Sequence, residues 1–412
     1  MRVLFLCHRI PYPPDKGDKI RAFHQLQAIS GHHEVDLFTL VDDALDLVHR
    51  PALLQYCRNV TIAPVNPKIA RLRSLPYLLT RTPLTIPYFY SSELMREVSK
   101  ALEARSYDRI FVYCSAMAQY VEAASHIPTI LDLVDVDSDK WMQYANFTPF
   151  PLSVVYRREG LALRKYERKV AEQAACVLVS TEREGQLMGE ISSTAHVRVI
   201  PNGVDTIHFK PAEAPSGPTA PTVIFTGDMS YFPNQEAVVY FARKVLPVIR
   251  QSVANVQFLI VGRNPSNNVL KLKELDGVEV TGFVPDIRTQ LARAQVAVAP
   301  FFIAAGIPNK ILEAMASGLP VVATPRATQG LLPRVAQLVL QGNTAEELAS
   351  HIAVLLRDLP LAKRTGLDCR LRVTEDYTWD RALGRLLQLL ENPATVEDPR
   401  IGTESLRSVS GI

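Results

Sequence analysis

The chain has 412 residues, of which 47% are hydrophobic and 21% charged, and its 45 Lys and Arg against 42 Asp and Glu leave a net charge of +3. That is the composition of a globular protein with room for two or three domains, and it excludes a disordered chain. A charge so near balance carries no general nucleic-acid footprint, so no nucleic-acid partner is expected.

The first apolar run, Val3–Cys7, meets His8 and Arg9 at once, which is too short for a secretory leader. The longest uncharged stretches, 141–156 and 294–309, contain prolines and fall short of the ~20 apolar residues of a membrane span. A cytoplasmic protein, peripheral at most at the inner face of the membrane, is expected. Cys7, Cys57, Cys114, Cys176 and Cys369 are odd in number, with no CxxC and no metal spacing. Free, buried thiols and no metal site are expected.

In chain order, short apolar runs predict strands at 2–7, 35–40, 59–62, 109–114, 129–133, 176–180 and 197–200. A second series follows at 222–226, 256–261, 278–280, 296–299, 320–323 and 337–340. These runs are rich in Val, Ile and Phe on both faces, with helical patterns between them. Continuous apolar strands of that kind predict parallel sheets covered on both sides, an α/β protein with two doubly wound, Rossmann-like domains. The proline-rich 211–221 reads as a linker or long surface loop. The domains predicted are 1–200 and 201–375, followed by a helix over 376–392 that packs back toward the first domain. Residues 393–412 carry little apolar periodicity and read as a flexible tail.

Ligands of such sheets bind beyond the carboxyl ends of the strands, so the loops there are the candidates for chemistry. After the first strand, four prolines and glycines precede a helix beginning near Asp18, which is placed to cap it. Backbone N–H groups at 17–19 would favour an anion, although an ordinary strand-to-helix turn looks the same. His8 ends that strand and suits either proton transfer or a structural role. Tyr113 and Ser115 end another strand and could line an acceptor site. Asp132, Asp135, Asp137 and Asp139 crowd a third strand end. With Lys140 adjacent and no His or Cys nearby, positioning of an acceptor hydroxyl by Asp135 and Asp137 is preferred over a metal.

In 304–324, Gly306 ends a loop and Pro308 suits a first helical turn. Lys310, Glu313 and Ser317 share one side of that helix, while Ile311, Leu312 and Met315 form the apolar one. Glu313 can accept hydrogen bonds from ligand hydroxyls or stand as a solvated carboxylate. Two basic segments, 58–81 and 157–169, either dock the first domain on an anionic leaflet or form solvated faces.

The motifs GHHEV (31–35), PNGVD (201–205), VIFTGDM (223–229), FLIVGR (258–263), VTGFVPDI (280–287) and KILEAMASGLPVVAT (310–324) together resemble a retaining glycosyltransferase of family 4 with the GT-B fold. RIPYPPDKGDKIRAFHQL and LDLVDVDSDKWMQYA are similar to sugar transferases of the exosortase/PEP-CTERM exopolysaccharide clusters. The resemblance implies a hexosyltransferase with a nucleotide-diphosphate sugar as donor, a glycan or polyprenyl-linked glycan as acceptor, and no required cofactor. It implies a donor site of Gly17, Asp18, Gly227, Arg263, Gly282, Phe283, Val284, Gly306, Asn309, Lys310 and Glu313, with Glu313 on the ribose hydroxyls. His8, Lys310 and Arg263 are the expected catalytic groups.

Two departures stand against the pattern. Ala305 occupies the position of a glutamate that contacts the donor sugar, and 227–234 lacks the usual basic pair. Arg263 and Lys310 are the substitutes expected to meet the diphosphate charge. The departures keep two alternatives open, a sugar-nucleotide-binding protein without transferase activity and a sugar-nucleotide epimerase of the same fold.

Overall fold

The structure, a computed structural model, describes residues 1–212, 220–303 and 306–393. The first sheet contains β1 (Arg2–Cys7), β2 (Glu34–Val41), β3 (Asn59–Pro64), β4 (Arg109–Tyr113), β5 (Thr129–Val134), β6 (Cys176–Val179) and β7 (Val197–Val199). Its order is β3-β2-β1-β4-β5-β6-β7. The second contains β8 (Thr222–Thr226), β9 (Gln257–Val261), β10 (Val278–Gly282), β11 (Val296–Ala299), β12 (Val321–Ala323) and β13 (Leu340–Gln341), in the order β10-β9-β8-β11-β12-β13. All pairs are parallel, with Val3 opposite Val35 and Cys7 opposite Tyr113 in the first sheet. These are the two Rossmann-like domains of a GT-B fold.

The cause is visible in β1, whose Val3, Leu4, Phe5, Leu6 and Cys7 are all buried. Alternate residues enter cores on opposite faces: Leu4 and Leu6 in one, Val3 and Phe5 in the other. A strand buried on both sides must be apolar throughout, which is why periodicity two is missing. The second sheet has its own core, built around Val223, Phe225, Phe258 and Ile260.

The last helix, Trp379–Glu391, returns to the first sheet. Its Trp379, Leu386 and Leu390 join the core of Val3, Phe5 and Leu26. Trp379 stacks on His24 at 4.3 Å, and Arg109 Nε donates to the Leu390 carbonyl at 2.9 Å. The crossing is tight enough that a Cβ on Gly203 would lie 2.6 Å from the Trp379 ring.

Three local expectations are corrected. The helix after β1 starts at Gly17 with Lys16 as its extended N-cap and no side-chain cap. Asp18 is instead drawn to Arg9 at 2.7 Å and to His8 at 3.5 Å. Strand β13 begins three residues later than predicted, because Pro333–Ala336 forms a helical turn that Gln337 and Leu338 close. Pro308 is the N-cap of the helix Asn309–Ala316 rather than its first residue. Most of the 211–221 linker, and the tail beyond 393, lie outside the described residues. Among the described residues, no helix is long and apolar enough to cross a membrane.

Candidate active site between the two sheets

In the second sheet the strand order reverses at β8, which lies between β9 and β11. The crevice there is the expected ligand position of an open α/β sheet. Its floor is bare backbone. Gly227 and Gly262 have φ of 149° and 153°, and a Cβ on Gly262 would fall 1.7 Å from the Gly227 carbonyl oxygen. A Cβ on Gly227 would fall 2.6 Å from Lys310 Nζ. Only glycine satisfies both the conformation and the approach.

The helix Asn309–Ala316 begins at this crevice and has no side-chain cap. Its first-turn N–H groups and dipole favour an anion. Lys310 lies over the Phe225 and Phe301 rings at 4.0 and 4.8 Å, and its Nζ donates to Asn234 Oδ1 at 2.7 Å. Burial pushes the Lys310 ammonium down to about 7, against the opposing charges of Glu313 and Asp228. One turn along, burial pushes Glu313 up to about 7, opposed by Lys310. Burial thus disfavours the charged form of both side chains, whereas a bound diphosphate would favour the charged lysine and a diol would donate to the carboxylate.

The helix N-terminus of the first domain meets this one across the domain boundary. A Cβ on Gly17 would stand 3.8 Å from Asn309 Nδ2. Asn309 Oδ1 accepts from Asn202 Nδ2 at 3.0 Å, and Asn202 Oδ1 accepts from Arg21 at 3.0 Å. Arg21, fully buried, also pairs with Asp132 at 2.9 Å and donates to the Ile200 carbonyl at 2.8 Å. Arg21, Asn202 and Asn234 lie inside the motif segments 9–26, 201–205 and 227–234, yet the sequence singles out none of the three as a site residue.

Arg263 bridges the two domains. It binds Asp15 Oδ2 at 2.6 Å, the Asp15 carbonyl at 3.0 Å, and Asp228 Oδ2 at 3.1 Å. Two carboxylates already hold its charge, so it is a clasp across the mouth rather than a free cation. Gly282 takes φ 74° at the end of β10, and its carbonyl accepts from Gly262 N–H at 3.2 Å. Phe283 is 71% exposed, while Val284 packs on the second core. Gly306, at φ 63°, lies so close to the first domain that a Cβ would come 2.2 Å from Asp135 Oδ1. Ala305 lies outside the described residues.

On the first-domain side, the four aspartates do not act as one cluster. Asp132 turns inward to Arg21, Asp135 accepts from Ser180 Oγ at 3.0 Å, Asp137 faces Lys140 at 3.4 Å, and Asp139 pairs with Arg183 at 2.9 Å. Burial raises the Asp135 carboxyl above its ordinary value. Among the described residues, no group of three His, Cys, Asp or Glu could hold a metal ion.

Tyr113 and Ser115 are corrected as acceptor-lining residues. Both are at most 2% exposed. The end of β4 is covered by its surroundings: the Tyr113 hydroxyl donates to the Asp18 carbonyl at 2.9 Å and its ring stacks on His8. For His8, where proton transfer and a structural role are both open in the sequence, the surroundings favour the structural role. Its ring is stacked on Tyr113, edge-on to Phe89 and beside Asp18. Burial works to lower its pKa, but Cys114 and Asp18 outweigh burial and raise it well above the ordinary value.

In the two basic segments, Arg73 is tied to the Pro87 and Tyr90 carbonyls, and Arg158 to those of Tyr77, Thr80 and Thr82. Arg158 thereby joins the segments into one face. Ile69, Leu72 and Leu79 are exposed on it, as are Lys68, Arg71, Arg157, Arg164 and Lys165.

Comparison with known proteins agrees with this architecture. Residues 21–203 match the family described as glycosyl transferase 4-like domain, and residues 220–358 match glycosyl transferases group 1. The chain belongs to the GT-B glycosyltransferases of this family-4-like group. Its sequence is similar to the GDP-mannose-dependent α-(1-6)-phosphatidylinositol monomannoside mannosyltransferase of Mycobacterium tuberculosis, 27% identical over 238 residues, 52% of this chain. The match spans 60% of that relative's length. In fold it is similar to a sucrose-phosphate synthase from Thermosynechococcus elongatus, with TM-score 0.68 and 18% identity over 95% of this chain and 98% of that one. HepE from Anabaena in complex with UDP-glucose gives TM-score 0.65 and 16% identity over 95% and 99%.

Proposed function

We propose that this chain transfers a hexosyl group from a nucleotide-diphosphate sugar, with retention at the anomeric carbon, to a glycan or polyprenyl-linked glycan during exopolysaccharide synthesis. The anomeric bond to the diphosphate breaks, the acceptor oxygen bonds that carbon, and the acceptor proton leaves with the nucleoside diphosphate. One observation carries the reading. Lys310 and Glu313 sit on an uncapped helix start, over glycine backbone, at the crevice of the second sheet. That is a diphosphate-and-diol site: cation and helix N-terminus for the phosphates, carboxylate for the ribose.

Donor-site roles follow for Gly227, Gly282, Phe283, Val284, Gly306 and Asn309, with Gly17 and Asp18 at the facing helix. Asp135 and Asp137, beside Gly306, remain the acceptor candidates. The curated relative acts on GDP-mannose and HepE holds UDP-glucose, so both nucleotides belong in the test. Titration with UDP, GDP, UDP-glucose and GDP-mannose, followed by a donor-consumption assay, decides the matter. Failure of all four to bind removes the reading. Binding without turnover, whatever the acceptor, favours a sugar-nucleotide-binding protein instead.

The same proposal puts the protein at the cytoplasmic face of a membrane, with Lys68, Arg71, Arg157, Arg164 and Lys165 on anionic headgroups and Ile69, Leu72 and Leu79 in the interface. Sedimentation with phosphatidylglycerol vesicles at low salt, released as salt rises, is expected. No co-sedimentation at low salt removes the docking face.

A further inference from the structure

A second cavity, of about 330 Å³, lies between the domains beside the ends of β11 and β12. Its first-domain wall is the helix Asp137–Phe147, through Gln143, Asn146 and Phe147; the other wall carries Phe302, Arg326 and Asn343. Gln143, Asn146 and Phe147 follow at helical spacing, so one helix face supplies the whole wall. The same helix reaches the donor crevice, where the Tyr144 ring meets Phe232 edge-on at 6.4 Å, just after β8. The cavity and the donor crevice are thus neighbours along one helix.

The lining has a definite chemistry. Phe147 and Phe302 are 55% and 42% exposed; Phe302 meets Tyr240 edge-on at 4.8 Å, and both still present aromatic surface to water beside the cavity. The amides of Asn146 and Asn343 make no side-chain hydrogen bond among the described residues, while Gln143 Nε2 is held by Asp139 at 2.7 Å. Arg326 Nε is buried with no partner, and its Nη1 donates to Gln329 at 3.1 Å. Aromatic faces ringed by neutral amides suit a ligand with flat C–H faces and a rim of hydroxyls. A phosphate-rich ligand would call for more than one cation. The volume lies at the small end of ligand pockets, roughly 300–1,000 Å³, enough for a sugar ring and too small for a nucleotide sugar.

We propose that this cavity is a saccharide subsite that holds a pyranose ring of the acceptor glycan, next to the ring that receives the transferred sugar. The inference rests on the transferase reading and deepens it. The protein selects an acceptor of at least two sugars, with Phe147 and Phe302 on the ring face and Asn146, Asn343 and Arg326 on its hydroxyls.

The test is saturation-transfer NMR on the whole protein with glucose, galactose, mannose and N-acetylglucosamine and their α- and β-linked disaccharides. UDP and GDP are titrated in parallel. At least one disaccharide is expected to bind more tightly than its monosaccharide. Phe147→Ala is expected to weaken that binding at least about fivefold, the scale of one lost aromatic contact. Asn343→Ala, on an exposed loop, supplies a second variant should Phe147→Ala unfold, and is expected to weaken it too. Nucleotide affinity should stay within about twofold in both variants, because neither residue lines the donor crevice. If the wild type binds UDP or GDP but no disaccharide, or if both variants bind the disaccharide as wild type does, the subsite is wrong and the donor site stands. If neither nucleotide nor saccharide binds, the transferase reading falls with it.

Discussion

Lys310→Met is expected to make the protein more stable while it destroys donor binding. Burial takes the Lys310 pKa from 10.5 to about 7. At ~1.4 kcal/mol per pH unit this disfavours the charged form in the fold by ~5 kcal/mol. The Phe225 ring, the Phe301 ring and the Asn234 hydrogen bond offset about 1 kcal/mol each. Methionine keeps the length and the apolar stem without the charge. The net gain is ~2 kcal/mol at pH 7, or about 4–8 °C in melting temperature for domains of this size.

The pH dependence has a definite sign. The folded value lies below the unfolded one, so between pH 7 and 10.5 the unfolded chain binds more protons and wild-type stability rises with pH. The advantage of the variant is therefore full at pH 7, shrinks by pH 9 and is gone above 10.5. Nucleoside diphosphate affinity should fall about 10- to 100-fold, the scale of a charge-assisted hydrogen bond, and kcat at least about tenfold. Thermal unfolding at pH 7 and 9, with UDP and GDP titrations, reads all of this. A variant less stable than wild type at pH 7, with unchanged nucleotide affinity, would show that Lys310 is a structural residue and refute the reasoning.

Glu313→Gln should weaken UDP or GDP binding about tenfold or more. Its folded pKa of about 7 exceeds the ordinary 4.5, so the carboxylate's cost is absent below pH 4.5 and full above pH 7. The stability gained by the amide should grow over that window, and an unchanged Kd would remove the ribose role. Asp15→Asn should open the clasp on Arg263 and free the guanidinium for the diphosphate. Nucleotide affinity should rise and small-angle scattering should show a larger radius; no change in either would mark the clasp as a rim ion pair worth under ~1 kcal/mol. Arg21→Met leaves Asp132 buried without its counter-ion and should cost ~3–5 kcal/mol in urea unfolding. Gln25 Nε2 also donates to Asp132, and a loss below ~1 kcal/mol would mean that this bond alone satisfies the carboxylate.

The two sheets were legible in the sequence because burial on both faces forces a local signature. Val3–Cys7 and Phe258–Val261 are short runs apolar at every position, rich in β-branched and aromatic residues, as strands buried on both faces require. Gly227 follows only from the family resemblance, and the close approach of Gly262 to it, which no side chain tolerates, is visible only in the structure. The helix Asn309–Ala316 could be placed from its own residues, Pro308 before it and Ile311, Leu312 and Met315 along one face. What each polar side chain does there could not. Arg263 reads as a free cation beside its own strand, yet its partner Asp15 lies 248 positions away. Tyr113 and His8 stand at strand ends, and such an end is open or covered according to what the fold lays over it, here Asp18 and Phe89. The Lys310 ammonium titrates near 7 only because Phe225, Phe301 and Asn234, from three other elements, exclude water from it. Apolar periodicity is a property of neighbouring residues and survives in one dimension. Charge state and access depend on what the fold brings within a few ångströms, and only the tertiary structure decides that.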